Sequence, residues 1–110
     1  MKTKIYMGGK ITGDENFMEK FGSYEESLKM RGYIVLNPAL LPFGMGYEDY
    51  MNICYAMIDV ANEVWLLPDW LQSSGAKRER LYALSKKKIV KYLDSNHTVH
   101  DCLIDALKES

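Results

Sequence analysis

A short stretch in the second half of the chain carries hydroxyl, glycine and carboxylate groups at a spacing that could bind and cleave a small ligand. The apolar run 64–67 predicts a buried strand that ends at Pro68, and Ser73, Ser74 and Gly75 then open a predicted helix reaching to about residue 86. Serine before a first helical turn is a cap signal, and the free amides and dipole of that helix end attract an anion. Glu79 follows one turn later, so the junction combines anion binding with a carboxylate.

The surroundings of Glu79 on the predicted helix leave two interpretations open. Its neighbours three and four positions away are Gly75, Ala76, Tyr82 and Ala83, none of which is a basic partner for an ion pair. A carboxylate on a stripe of small residues predicts that something approaches it closely. Alternatively, the opposite side of the helix, which carries Leu81 and Leu84, is the core face and Glu79 is a solvated surface charge. Spacing does not choose between them.

Composition limits the class of protein and its partners. The 110 residues, 47% of them hydrophobic, predict one domain over residues 1–110. A formal charge of -1 gives no global field that would favour a nucleic acid polymer or an anionic membrane. No apolar run approaches the length of a membrane span, and the N-terminus leads into a strand and not into a signal peptide. Cys54 and Cys102 lack metal-ligand spacing, which fits reduced thiols in a cytoplasmic protein without a disulfide.

Apolar runs and helical periodicities alternate along the chain. Strands are predicted at 5–7, 33–36, 63–67 and 88–93, and helices at about 15–31, 48–60, 74–86 and 99–108. This order predicts an α/β fold of three layers, Rossmann-like, with a short parallel sheet of about four strands. The loop 38–47 is long enough to reach over a site. Apolar residues of the helix 48–60 occupy more than one stripe, which indicates burial against both the sheet and a dimer partner.

The glycine-rich loop after the first predicted strand could bring backbone close to a ligand. Gly8, Gly9 and Gly13 lie in it, but the pattern is not the dinucleotide-binding fingerprint, and Asp14 stands where a phosphate-binding P-loop would need lysine. The second strand ends at Asn37, without the acid that would bind a dinucleotide ribose. Both nicotinamide dinucleotide binding and ATP hydrolysis are therefore disfavoured, and ligand approach is favoured over a simple turn.

Other residues with chemical potential have simpler interpretations. His97 and His100 share a spacing suited to one helical face, but no nearby carboxylate or thiol completes a metal set, so they are predicted to be ordinary surface histidines. The lysine run 86–88 is predicted to complement the dipole at a helix end. Trp70, in the loop beside Ser73, is a candidate platform for stacking a base.

Three motifs in order carry a resemblance to a known family. They are Lys4-Ile5-Tyr6-Met7-Gly8-Gly9 with Ile11-Thr12-Gly13, then Gly32-Tyr33 leading to Asn37-Pro38, then Leu67-Pro68-Asp69-Trp70 leading to Ser73-Ser74-Gly75-Ala76-Lys77-Arg78-Glu79. Over about residues 4–92 the chain resembles the nucleoside 2-deoxyribosyltransferase-like superfamily, especially its small bacterial and phage branch. The related 2'-deoxynucleoside 5'-phosphate N-hydrolases also fit.

The resemblance implies roles for particular residues. Glu79 stands at the position of the family's nucleophile, which attacks the anomeric carbon as the base leaves, and Ser73 matches the serine of the hydrolases where the transferases have aspartate. Tyr6, Gly8 and Gly9 match the segment that holds the sugar or its phosphate. Asn37, Trp70 and Gly75 are the further substrate-binding candidates. No cofactor or metal is implied.

The chain departs from the family pattern at two positions. Where the family carries a sugar-binding aspartate on the preceding helix, this chain has Cys54, and Arg80 replaces the small or apolar residue that usually follows the glutamate. A thiol does not accept a hydrogen bond from a sugar hydroxyl as a carboxylate does. The leading hypothesis is cleavage or transfer of the N-glycosidic bond of a nucleoside or nucleotide. The alternative is a binding module of the same fold, and the resemblance further implies a homodimer.

Overall fold

The computed structural model describes residues 1–109 and contains one central sheet with helices on both faces. The strands are Lys4–Gly8 (β1), Ile34–Leu36 (β2), Glu63–Leu66 (β3), Ile89–Leu93 (β4) and Val99–His100 (β5), and the helices are Phe17–Met30 (α1), Tyr47–Val60 (α2), Ser74–Ser85 (α3) and Leu103–Glu109 (α4). Two short 3₁₀ turns, Pro38–Leu40 and Trp70–Gln72, follow β2 and precede α3. The predicted three-layer α/β class is confirmed.

The sheet order is β2-β1-β3-β4-β5, with β1 to β4 parallel and β5 antiparallel to β4. Because β1 lies between β2 and β3, Tyr6 pairs in register with Leu36 on one side and with Val64 on the other. The carboxyl ends of the parallel strands therefore meet at one edge of the sheet, which is where ligands bind in open α/β sheets.

The side chains of β1 and β3 alternate between two separate cores. Ile5 and Met7 pack with Trp65 and with α1 on one face, whereas Tyr6 packs with Val64 and with α2 and α3 on the other. All of these strand residues are at most 1% exposed. Burial on both faces explains why the strands are continuous apolar runs in the sequence, and the alternation decides that Tyr6 reaches the layer that contains α3.

The end of the chain differs from the prediction. The predicted helix 99–108 begins only at Leu103, because Val99 and His100 form a fifth strand paired with Leu93 and Tyr92. The buried Asp94 carboxylate turns the chain back by accepting hydrogen bonds from the amides of Asn96 and Thr98. This turn makes the short antiparallel pair possible, and a two-residue strand carries no periodicity from which it could be predicted.

Two expectations about the chain as a whole can be compared with the structure. No helix within residues 1–109 combines the length and the apolar character needed to cross a lipid bilayer. Cys54 is buried, Cys102 is exposed, and the two thiols are free, as expected from their separation in the sequence.

Candidate functional site

A cavity of about 520 Å³ opens at the carboxyl edge of the sheet. Five segments line it: the loop after β1, the start of α1, the segment after β2, the N-terminal half of α2, and the junction between β3 and α3. Most of its wall is apolar or aromatic, including Phe17, Phe43, Tyr47 and Met51. A concave apolar site with a few polar groups is the usual form of a small-molecule site.

Glu79 lies in this cavity and is only 6% exposed. The small residues Ala76 and Ala83 on the same side of α3 are buried with it, whereas Leu81 and Leu84 are 63% and 46% exposed. The interpretation of Glu79 as a solvated surface charge is therefore wrong, and so is the assignment of Leu81 and Leu84 to the core. Small side chains let α3 approach the sheet closely enough to bury the carboxylate.

Tyr6 holds the Glu79 carboxylate in place. Its hydroxyl donates a hydrogen bond of 2.7 Å to Glu79 Oε2 across a sequence separation of 73 residues. Burial, followed by the charge of Glu79, raises the pKa of Tyr6 well above its ordinary value, so the phenol stays protonated and remains a donor. The ring is fully buried and lies behind the cavity wall, so Tyr6 contacts the carboxylate and not the open space.

Cys54 is a second side chain beside this carboxylate. It lines the cavity from α2 and contributes to the pKa shifts of both Glu79 and Tyr6. Burial, followed by the charge of Glu79, raises the pKa of Cys54 to about 12, so the thiol is neutral near pH 7. Asp59, five residues further along α2, accepts a hydrogen bond from the Tyr82 hydroxyl at an exposed position. Its carboxylate therefore does not replace the aspartate that is missing at position 54.

The buried position changes the protonation of Glu79. Burial raises its pKa from 4.5 to about 7, although the hydrogen bond from Tyr6, the Cys54 side chain and the charge of Arg78 act in the opposite direction. Both protonation states are therefore populated near neutral pH. Because the ionised form is poorly solvated but held at a fixed position, it is suited to act as a nucleophile.

Gly8 and Gly9 have no Cβ, and this leaves room for other side chains of the protein to pack against them. A Cβ at Gly8 would lie 2.9 Å from Leu66 Cδ2 and 3.3 Å from Glu79 Oε1. A Cβ at Gly9 would lie 3.0 Å from Leu67 Cβ and 3.2 Å from Asp69 Oδ1. Gly9 lines the cavity, and Gly8 gives space to the carboxylate behind it.

The predicted cap at the start of α3 is present. Ser73 Oγ accepts a hydrogen bond of 3.0 Å from the amide of Ala76, and Ser73, Ser74 and Gly75 line the cavity. The capped helix end is thus open to a ligand, with Gly75 next to the Tyr47 hydroxyl and to Met51 Sδ, each 3.5 Å from where its Cβ would be. Glu79 is oriented by Tyr6, while Ser73 fixes the start of the helix.

Besides Tyr6 and Gly8, two more of the predicted substrate-binding residues lie outside the cavity lining. Trp70 is 6% exposed and packs against Tyr92, with the guanidinium of Arg80 lying 5.3 Å from its ring centroid. Asn37 accepts a hydrogen bond from the amide of Ala39 and donates one to Glu25, so it caps the 3₁₀ turn after β2. Both residues support segments that line the cavity.

An ion-pair cluster that sequence reasoning missed joins the two loops at the cavity. Lys20 on α1 forms salt bridges with both Asp14 and Asp69, and its ammonium donates to the carbonyl of Lys10. Asp69 also accepts a hydrogen bond from the amide of Lys10. The glycine loop and the loop after β3 are therefore fastened together. A lysine on an amphipathic helix gives no sign in the sequence of this connection.

Aromatic side chains at the mouth of the cavity were also missed. Phe17 and Phe43 form an edge-to-face pair with ring centroids 6.2 Å apart, and the Tyr50 hydroxyl donates to the carbonyl of Pro42. Phe43 is 75% exposed, so the segment after β2 presents an apolar ring beside the opening. These rings, and not Trp70, line the space available to a planar ligand.

The two histidines serve structural contacts. His100 Nε2 lies 2.8 Å from Asp94 Oδ2, and His97 stacks on Tyr24 with ring centroids 3.9 Å apart. Across residues 1–109, no cluster of three or more His, Cys, Asp or Glu side chains has the arrangement needed to hold a metal ion.

Comparison with known proteins first defines the fold. A solved structure described as "2-desoxiribosyltransferase from Leishmania mexicana" superposes with a TM-score of 0.67 over 83% of this chain, at 17% sequence identity. The chain spans 63% of that protein's length. At this identity the likeness shows a shared Rossmann-like deoxyribosyltransferase fold.

The sequence comparison then gives the family. The profile described as "Domain of unknown function (DUF4406)" matches residues 3–92, so the chain belongs to that family. No curated protein matches the chain.

We predict that Gly8→Ala lowers the free energy of unfolding by about 1 to 2 kcal/mol, because the new methyl group meets Leu66 and the Glu79 carboxylate in a closely packed core. Denaturant unfolding measures this change. Gly22→Ala is the matched control, since Gly22 lies inside α1 and an added Cβ meets nothing within 4 Å. The control should raise stability by about 0.5 to 1 kcal/mol through helix propensity. Equal effects of the two substitutions would contradict the packing described for Gly8.

Burial of Glu79 also predicts a pH-dependent cost to stability. Its pKa in the folded protein, about 7, lies above its ordinary value of 4.5, so folding becomes less favourable as pH rises through this window. Glu79→Gln should therefore raise the free energy of unfolding by about 3 kcal/mol at pH 8 and leave it nearly unchanged at pH 4. Denaturant unfolding at both pH values tests this.

The control for that experiment is Glu48→Gln, at an exposed glutamate bound to Arg78. This substitution should give no stabilisation at pH 8, because the carboxylate that it removes is solvated and paired. If Glu79→Gln did not raise the free energy of unfolding at pH 8, the burial of an ionisable carboxylate at this position would be refuted.

Proposed function

We propose that this protein cleaves or transfers the N-glycosidic bond of a nucleoside or nucleoside monophosphate, with Glu79 as the nucleophile. The observation that carries the proposal is the buried Glu79 carboxylate, held by the Tyr6 hydroxyl at 2.7 Å inside a cavity at the carboxyl edge of the sheet. The name of the solved protein that shares the fold, a deoxyribosyltransferase, supports the same class of reaction.

The proposed reaction has two displacement steps. In the first, a Glu79 oxygen attacks the anomeric carbon, and the bond from that carbon to the base nitrogen breaks with its electron pair. The leaving base then takes a proton from solvent. In the second, water or another base attacks the same carbon and displaces the glutamate, which regenerates the carboxylate, and the proton of the attacking group passes to solvent. This sequence parallels that of the retaining glycosidases.

The other site residues fall into three groups in this proposal. Gly9, Ser73 and Gly75 line the cavity, so they would contact the substrate directly. Tyr6 and Gly8 act through Glu79, the first by orienting its carboxylate and the second by leaving room for it. Asn37 and Trp70 hold the segments on either side of the cavity, and they would affect substrate binding only indirectly.

The second candidate is a nucleoside- or nucleotide-binding module without catalysis. Cys54 motivates it, because a neutral thiol next to Glu79 does not accept a hydrogen bond from a sugar hydroxyl as a carboxylate would. The sugar would then be held less firmly against the nucleophile, and a misplaced reacting carbon slows such a reaction strongly. Both candidates bind the ligand in the same cavity, but only the first cleaves its N-glycosidic bond.

We predict that the protein releases free base from at least one member of a panel of nucleosides and deoxynucleoside monophosphates, and that Glu79→Gln abolishes release. Chromatography of the free base measures this.

The pH dependence of base release is a second prediction. Since only ionised Glu79 can attack, kcat/KM should rise with pH through about 7 and level off above it. Tyr6→Phe should keep some activity but move that rise to higher pH, because the hydrogen bond that favours ionisation is lost.

Thermal stability separates the two candidates. Stabilisation by a panel member without base release supports the binding module. A Glu48→Gln variant, altered at an exposed carboxylate outside the cavity lining, controls for general effects of losing a negative charge. Base release that persists in Glu79→Gln would rule out this residue as the nucleophile.

A homodimer is part of the proposal and is supported by the outer surface of α2. Ile53 and Val60 lie seven residues apart on this helix and are 36% and 55% exposed, while Met51, Cys54 and Ile58 face inward. Light scattering should give twice the mass of the chain, and Ile53→Lys with Val60→Lys should give a monomer. Met30→Lys is the control, because Met30 is exposed at the end of α1, and this variant should remain dimeric. A monomeric native protein would refute this part.

A further inference from the structure

The cavity lining, in the described part of the chain, carries negative charge and no positive charge. Among the described residues that line it there is no lysine, arginine or histidine, and Glu79 is the one carboxylate. The remaining polar groups are hydroxyls, one thiol, the Gln72 amide and backbone. A ligand that enters therefore meets negative charge without a cationic side chain to balance it.

Two cations that border the cavity segments are already paired, whereas Lys10 and Lys77 lie outside its lining. Lys20 is bound by the carboxylates of Asp14 and Asp69 at the base of the glycine loop. Arg78, one residue before Glu79, makes two hydrogen bonds of 2.8 and 3.1 Å to the Glu48 carboxylate. Neither is free to pair with an anion in the cavity without first giving up its partner.

The N-terminus of α3 supplies the remaining attraction for an anion, and its strength can be compared with that of Glu79. A helix end carries roughly half a positive charge, and part of it is used here because Ser73 Oγ accepts the Ala76 amide hydrogen. A phosphate monoester carries roughly 1.5 to 2 negative charges at neutral pH. The partial charge of the helix end does not offset repulsion between such a group and an ionised Glu79 in the same cavity.

We infer that the site takes an uncharged nucleoside and discriminates against the corresponding 5'-monophosphate, because the cavity pairs the buried Glu79 with apolar and hydroxyl-bearing walls and no cationic side chain lines it. This inference rests on the proposed function and selects between its two substrate classes. The aromatic mouth formed by Phe17, Phe43 and Tyr47 suits the planar, uncharged base of such a ligand.

The test compares each deoxynucleoside with its own 5'-monophosphate, so that base and sugar are matched. We expect kcat/KM for base release to be higher for the nucleoside by roughly tenfold or more, since like charges interact strongly where solvent is partly excluded. Gln72 is exposed at the cavity rim and allows a charge to be added there. Gln72→Arg should reduce this preference, and Gln72→Glu, its matched control, should increase it.

Binding supplies a readout that does not depend on turnover. In the native protein, thermal stabilisation by the nucleoside should exceed that by the monophosphate at equal concentration. Glu79→Gln removes the repelling charge while keeping the shape of the side chain. It should therefore bring the two ligands closer together in affinity.

The possible outcomes separate this inference from the proposed function. Base release that is equal or faster from the monophosphate would overturn the inference and leave the proposed function standing. Stabilisation by the nucleoside alone, without base release, would support the inference and overturn catalysis. Absence of both binding and release would overturn both. A preference that Gln72→Arg and Glu79→Gln leave unchanged would overturn its electrostatic origin.

Discussion

The hydrogen bond from the Tyr6 hydroxyl to the Glu79 carboxylate is the interaction on which the site depends. It joins the interior strand β1 to the helix α3 across the core, and both partners are almost completely buried. A carboxylate withdrawn from water is unfavourable unless donors replace its hydration. Here the Tyr6 phenol does so, and the small residues Ala76 and Ala83 allow α3 to lie close enough for it to reach the carboxylate.

The same arrangement lowers the stability of the fold and would favour the proposed reaction. Complete solvation of Glu79 would give an ordinary carboxylate with little reactivity, while complete burial without donors would keep it protonated. With the Tyr6 hydrogen bond and the Cys54 side chain, the pKa is raised only to about 7. The buried carboxylate therefore reduces the free energy of unfolding as it ionises, and it faces the cavity. Strained or poorly solvated groups of this kind concentrate at functional sites.

Much of the fold follows from local sequence patterns, whereas the site depends on contacts between distant residues. The four parallel strands and their helices could be predicted because each is a continuous apolar run or a helical periodicity. The cap at Ser73 and the carboxylate at Glu79 were also visible, since both belong to one short segment. Tyr6 and Lys20 were not assigned their contacts, because their partners lie 73 and 49 residues away. Trp70 looked available in a loop, but the 3₁₀ turn directs its ring into the core.

The alternation of β1 between two cores has a consequence for which changes of sequence this fold can accommodate. Ile5 and Met7 face α1, and Tyr6 alone among these three faces α3. Substitutions at these positions change size or polarity locally, but an insertion or deletion of one residue within Lys4–Gly8 would turn the phenol to the opposite layer of the molecule. The position of the phenol therefore depends more strictly on the length of this strand than on the types of its other residues.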